Sequence, residues 1–417
     1  MPPFETKAFK MKYKVIFCGG YTIWSAGDDA PMAFMTSELR KRFGNEIEFI
    51  VLCRHPNPEF DSYYGVKTLQ GLEYENKSLS MEKWMRGLNF EDDRHELEKI
   101  AEEISTADLL ILGAGNFITE VSLDLLRGHL AQFAVLTLIA DICNTPCMLF
   151  GLSANRLKSK WTARAAEWML KRATYVTFRD MNAIENLRYS GVNIPDHEIL
   201  PDAALGAPVA PSNRGLDILA NENIYLNNKE VLAVSLRDIT WMSMQTEYEN
   251  NLINVINAWT AREDRVILFI PQCTYHVDDP LTDDRFIANS FIAKVEHPDK
   301  CFHISQQYQG PDIECLYKHA DATLATRLHG SVFSAKMGTP VVGLCYEDKV
   351  KGFFRQLGQQ NFALPINTEP DKIIEKIELL LSNKEKIKKE IEQKLEELQS
   401  QITRYVDIAC ELIAPKR

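Results

Sequence analysis

Residues 322–358 read ATLATRLHGSVFSAKMGTPVVGLCYEDKVKGFFRQLG and hold the densest set of chemically capable side chains in the chain. A β-branched run ends at Ala325-Thr326. Arg327, His329 and the turn residue Gly330 follow, and Ser331 opens a short helix closed by Gly338 and Pro340. That spacing aims Arg327 and His329 at a helix N-terminus, where unpaired backbone N–H groups and the positive end of the helix dipole favour carboxylates and phosphates. Between positions 327 and 355, Arg327, Lys336, Lys349, Lys351 and Arg355 face only Glu347 and Asp348. The whole chain, in contrast, has 47 Lys and Arg against 58 Asp and Glu, a formal charge of -11. The local sign is therefore reversed. A general affinity for nucleic-acid phosphates is excluded, and an anionic ligand has to find this basic pocket.

Other candidates are scattered. Arg179-Asp180 and Arg237-Asp238 each end a predicted strand, as ligand contacts or as structural salt bridges. Asp28 and Asp29 precede a helix expected near Ala30 and are placed to cap it. Gly113-Ala114-Gly115-Asn116 is a glycine turn after a strand, suited to phosphate binding or to a close backbone approach. Gly19-Gly20 does not complete GxGxxG, and the Walker A, GxSxG and HExxH patterns are absent, which argues against dehydrogenase, P-loop, serine-hydrolase and zinc-protease chemistry. His276 with Asp278 and Asp279 is too unspecific to define a metal site. Nine cysteines without a CxxC pair fit reduced thiols. No resident metal or cofactor is expected.

The elements that must position these residues follow from periodicity. Short apolar runs alternate with helical stretches from Lys14 to Leu200 and again from Val231 to Cys345, the rhythm of βαβ units in mainly parallel sheets. Pro201-Asp202, Pro208, Pro211 and the polar stretch 212–228 interrupt the two series. The predicted architecture is α/β, with two doubly wound Rossmann-like domains facing a cleft, residues 1–212 and 213–383, and a charged amphipathic helical tail, 384–417. Ile387, Ile391, Leu395 and Leu398 have helical spacing and predict a tail packed back on the body; a dimer contact or a membrane-surface contact are the alternatives. No secretory signal core opens the chain, and Ala131–Ile142 is too short for a membrane span. The expected location is the cytoplasm, with peripheral contact at the inner membrane face.

The segments RLHG, AKMGTPVVGL and YEDKVKGFFRQLG together resemble the C-terminal signature of the polysaccharide pyruvyl transferase family, whose architecture is similar to two-domain GT-B glycosyltransferases. GGYTIWSAGDDA, LLILGAGNFI, TFRDMNAIENL, LPDAAL, AVSLRD and FIPQC fall in the family's order, so the resemblance covers roughly residues 14–360. It implies phosphoenolpyruvate as co-substrate and a pyruvate ketal installed across two hydroxyls of a sugar. The acceptor would be lipid-linked or nucleotide-linked, in surface-polysaccharide assembly. It implies His329 as acid/base group, Arg327 beside it, and Arg179, Arg237 and Lys349 as holders of the donor's carboxylate and phosphate. Asp28, Asp29, Gly115 and Asn116 would bind substrate. The first domain would take the acceptor and the second the donor. The competing readings are a GT-B glycosyltransferase with a nucleotide-sugar donor and a noncatalytic assembly partner; a homo-oligomer fits any of the three.

Overall fold

The computed structural model describes residues 13–22, 24–73, 94–123, 128–226, 228–240, 242–274 and 283–414. They form two compact units. The first gathers the chain up to Thr22, Met32–Leu200 and the chain from Thr403; the second gathers Ile23–Pro31 and Pro201–Ile402.

The first unit is built on a seven-stranded parallel sheet ordered β3-β2-β1-β4-β5-β6-β7. Its strands are β1 Tyr13–Cys18, β2 Ile47–Cys53, β3 Lys67–Gln70, β4 Leu109–Ile118, β5 Cys147–Ala154, β6 Tyr175–Phe178 and β7 Glu198–Ile199. The interior strand β5 is buried at every position, because helices cover both faces of a parallel sheet. This is why its sequence is a continuous apolar run without alternation.

The second unit holds a six-stranded parallel sheet ordered β10-β9-β8-β11-β12-β13. Its strands are β8 Glu230–Ser235, β9 Arg265–Phe269, β10 Cys301–His303, β11 Ala322–Ala325, β12 Val341–Cys345 and β13 Ala363–Pro365. The two sheets with alternating helices give the doubly wound, Rossmann-like α/β class expected from the periodicity. The edge strands β3 and β13 carry no sequence signal: one is short and polar, the other ends in a proline.

Two local expectations are corrected. The apolar spacing of residues 290–295 predicts a helix there, but the helix runs over Asp284–Ile292, because Asp283 caps it by accepting from the Arg285 N–H. The glycine turn predicted after Leu112 is a continuation of β4. Gly113, at a φ of 137°, passes so close to β5 that a Cβ there would lie 2.0 Å from the Phe150 carbonyl oxygen. Only glycine lets the strand through.

The C-terminal helix Lys384–Ile413 buries Ile387, Ile391, Leu395 and Leu398 against the chain itself. In the second unit Lys384 pairs with Asp321, and Gln399 donates to the Leu205 carbonyl. In the first unit Tyr405 stacks edge-on against Phe150 and donates to the Leu200 carbonyl. Among the described residues no helix is long and apolar enough to cross a membrane.

Candidate active site

Open parallel α/β sheets present ligand sites at the carboxyl ends of their strands. In the second unit three neighbouring strands, β8, β11 and β12, end in Arg237, Arg327 and Tyr346 within two residues of their last strand positions. Arg237 donates to the Tyr346 hydroxyl at 2.7 Å and lies 5.2 Å from that ring's centroid, while the Lys349 ammonium lies 5.4 Å from the same ring. One phenol thus gathers two of the predicted anion-binding cations. Lys349 also pairs with Glu347 at 2.6 Å.

Arg327 occupies the N-cap position of the helix Leu328–Lys336. Its Nε donates to the Leu236 carbonyl and its Nη2 to Asp284, whose other oxygen accepts from the backbone N–H groups of Gln272 and Cys273. Burial alone would lower the pKa of this guanidinium. The Asp284 carboxylate, with Cys273 and Tyr346 nearby, instead holds it above the usual arginine value. Arg327 is therefore a fixed cation whose charge Asp284 partly balances. Burial pushes the neighbouring Cys273 thiol up to about 11 despite Arg327, which makes it a poor nucleophile at neutral pH.

His329 is the second residue of the same helix and stands between a carboxylate and a glycine. Its Nε2 is 4.0 Å from Asp202 Oδ2. Asp202 is itself oriented by capping the 3-10 turn Ala203–Gly206 through the Ala204 N–H. On the other side the imidazole rests against Gly27, where a Cβ would fall 2.1 Å from Nδ1. Gly27 is the second residue of the helix Ala26–Phe43. That helix begins four residues earlier than expected, so Asp28 and Asp29 are first-turn acids and not its caps. Asp28 accepts from the Ser25 hydroxyl, and Ser25 pairs with Cys273 in an isolated bridge. Asp29 is buried. The second unit therefore brings Asp28, Arg237, Arg327, His329 and Lys349 to one end of its sheet.

Lys336 leaves the basic count altogether. It is buried against Glu314 and donates to the carbonyls of Ala204 and Ala207, holding the turn that carries Asp202. Burial drives Glu314 up to about 7, with Lys336 opposing.

The remaining candidates belong to the first unit. Arg179 follows β6 and is buried, and its backbone N–H donates to the Leu152 carbonyl. Its neighbour Asp180 caps the helix Met181–Tyr189 by accepting from the Ala183 N–H and also accepts from the Ser153 hydroxyl. Gly115 lies within β4 at a φ of 150°, and Asn116 donates to Asn155. His276, Asp278 and Asp279 lie outside the described residues. Among the described residues no group of three or more His, Cys, Asp or Glu side chains is placed to hold a metal.

Sequence reading passed over Asp202, Asp284 and Tyr346. The PD of LPDAAL and the tyrosine of YEDK were visible as motif letters, but their partners are remote in sequence. Asp284 gave no signal at all.

The model of the polysaccharide pyruvyl transferase family matches residues 26–348, more than three quarters of the chain and every candidate above except Lys349. The chain belongs to the polysaccharide pyruvyl transferase family. Among curated relatives, the amylovoran biosynthesis protein AmsJ of Erwinia amylovora is 24% identical over 311 residues, 72% of each chain. Among solved structures, a glycosyltransferase from Rickettsia africae superposes with a TM-score of 0.62 at 10% identity, covering 97% of this chain and 100% of that one. HepE of Anabaena, solved with UDP and glucose, gives 0.61 at 11% identity with the same coverage. A putative UDP-N-acetylglucosamine 2-epimerase of Listeria monocytogenes gives 0.56 at 16% identity, covering 91% and 90%. These likenesses place this pyruvyl transferase family member in the GT-B-like fold.

Proposed function

We propose that this protein transfers pyruvate from phosphoenolpyruvate to a sugar as a ketal during polysaccharide assembly. The observation that carries the reading is the meeting of Arg237 and Lys349 at Tyr346, with the Arg327 guanidinium nearby and a histidine that faces a carboxylate. Ketal formation needs that combination. A proton must reach the enol carbon, the adjacent carbon must accept two sugar oxygens, and phosphate must leave. His329 is the proton carrier in this reading. Lys349 and Arg237, joined through Tyr346, hold the donor's anionic groups, and Arg327 supplies a fixed positive charge from the sheet end. Asp28, Asp29, Arg179, Gly115 and Asn116 are assigned to substrate binding by their matches to the family's motifs. The relative named for amylovoran biosynthesis supports a polysaccharide pathway.

The protein is incubated with phosphoenolpyruvate and a panel of lipid-linked and synthetic glycosides, and the products are weighed by mass spectrometry. A pyruvyl adduct formed with release of phosphate is the expected product. His329→Ala lowers turnover by a factor on the order of 10²–10⁴ with donor affinity largely kept. Lys349→Ala weakens donor binding by roughly ten- to a hundredfold, the worth of one charged hydrogen bond. Near-native turnover in a folded His329→Ala protein removes His329 from the mechanism. The rival reading is a glycosyltransferase, since HepE was solved with UDP and glucose. Strong thermal stabilisation by nucleotide-sugars, with none by phosphoenolpyruvate, would favour that rival.

A further inference from the structure

The apolar positions of the C-terminal helix are covered by the chain itself, so a surface for a large anionic partner has to be sought elsewhere. The first unit presents one on the helix Lys160–Arg172 and the loop leading into it. From Arg156 to Arg172 the chain has six cations and one acid, Glu167. With Asp141, 3.7 Å from Arg172, and Glu120, bound at the Lys158 and Ser159 N–H groups, the patch keeps an excess of three cations in a chain of net charge -11. Trp161, Arg164, Trp168 and Arg172 recur at three- and four-residue spacing, which puts them on one face of the helix. They alternate as stacked pairs: the Arg164 guanidinium lies 5.6 Å from the Trp161 ring centroid and that of Arg172 4.1 Å from Trp168. Trp161 is 72% exposed.

The loop is flanked by further apolar groups. Glu120 accepts from the backbone N–H groups of Lys158 and Ser159, which sets Val121, 81% exposed, beside the start of the helix. On the other side Arg156 stacks 4.4 Å over Tyr189, whose exposure is 73%.

The placement of the charges points to an external anion. Lys158 and Lys160 sit at the N-terminal end of the helix, where a cation meets the positive end of the dipole. The Glu120 carboxylate, bound to the N–H groups of Lys158 and Ser159 and to the Thr162 hydroxyl, offsets one of the two charges. A tryptophan at the second helical position leaves a large apolar ring in water. Wrong-sign charges and an unburied aromatic on one surface are both relieved by the same partner: a bilayer interface bearing anionic headgroups, which takes up Trp, Tyr and aliphatic groups at headgroup depth and pairs with Lys and Arg around them. A duplex nucleic acid, whose bases are already stacked on one another, would satisfy only the cations.

We propose that this face docks the protein peripherally on an anionic lipid bilayer. The proposal is independent of the transferase reading. Full-length protein is sedimented with vesicles of phosphatidylcholine alone and of equal parts phosphatidylcholine and phosphatidylglycerol. Binding to the mixed vesicles only is expected, weakening as the Debye length falls from about 30 Å at 0.01 M salt to about 8 Å at 0.15 M. One cation near an anionic surface is worth roughly fivefold in partitioning. Lys158→Gln with Lys160→Gln should therefore lower partitioning about 25-fold. Trp161→Ser should weaken binding while leaving the salt dependence unchanged. These side chains are exposed and the two lysines oppose the helix dipole, so the melting temperature should not fall below the parent's value and loss of binding cannot be assigned to unfolding. Failure of the parent to bind mixed vesicles at low salt overturns the proposal. So does native-like binding by the double lysine variant, or capture of a DNA duplex by a protein that ignores both vesicles.

Discussion

Gly27→Ala tests the geometry around His329 more sharply than removal of the histidine does. An added Cβ would lie 2.1 Å from Nδ1, 2.3 Å from Cγ and 2.6 Å from the Cβ of His329. The last contact matters most, because turning the imidazole about its own Cα–Cβ bond does not move its Cβ; the two helices must part. Overpacking of this kind costs about 1–3 kcal/mol. Alanine's better helix propensity returns at most about 1 kcal/mol, and less at a helix start. The collision wins, so a net loss of about 1–2 kcal/mol is expected, read as a fall of several degrees in melting temperature. Displacement of the ring by an ångström should lower turnover by roughly a hundredfold. His329→Ala makes room for the methyl group, so the double variant should regain stability relative to the sum of the two single changes, with a coupling of about 1–2 kcal/mol. Melting curves of the four proteins form the cycle. A Gly27→Ala protein at least as stable as its parent, or strict additivity, would show that the imidazole does not rest on Gly27.

Three further outcomes are expected. Lys336→Met strands the buried Glu314 carboxyl and should cost about 3–5 kcal/mol in denaturant titrations, whereas Lys336→Met with Glu314→Leu should recover most of that loss; equal loss in both proteins refutes the pairing. Glu314 has a folded-state pKa raised to about 7, so its contribution to stability is present below the ordinary carboxylate range and is lost as pH rises through about 7. Relative to Glu314→Gln, the parent should therefore lose stability between those limits, and a flat difference would contradict the assignment. Leu395→Ala removes a buried side chain of the C-terminal helix and should destabilise the protein by about 2–4 kcal/mol without a change of oligomeric state on size exclusion; an unaltered melting temperature would refute the packing.

Most interior strands were legible, β4 beyond Leu112 excepted. β1, β5, β8, β11 and β12 are buried on both faces, and their apolar runs announce them within a residue or two. The edge strand β3 and the start of the helix Asp284–Ile292 were not, because a short polar strand such as β3 is fixed by its neighbour and not by its own residues. In the candidate site the cations were visible and their counter-charges were not. Counting along 327–355 left a positive excess, yet Arg327 meets Asp284 and Lys336 meets Glu314, acids outside that window. Charge balance is a property of contacts in space, and a count along the chain misses partners supplied by other elements. Lys336, from this pattern alone, was indistinguishable from a ligand-binding lysine.

The contact between Gly27 and His329 also ties the histories of two distant positions. Any side chain arriving at 27 while histidine remains at 329 carries the cost of the collision, whereas a smaller residue at 329 would relieve 27 at once. The order in which substitutions are accepted is therefore biased: a change at 329 opens the way to a change at 27. A laboratory population drifting under selection for folding alone should show non-glycine residues at 27 more often in lineages that have already lost the histidine. A lineage that kept both its activity and its histidine would carry glycine there as a record that the imidazole was still in use.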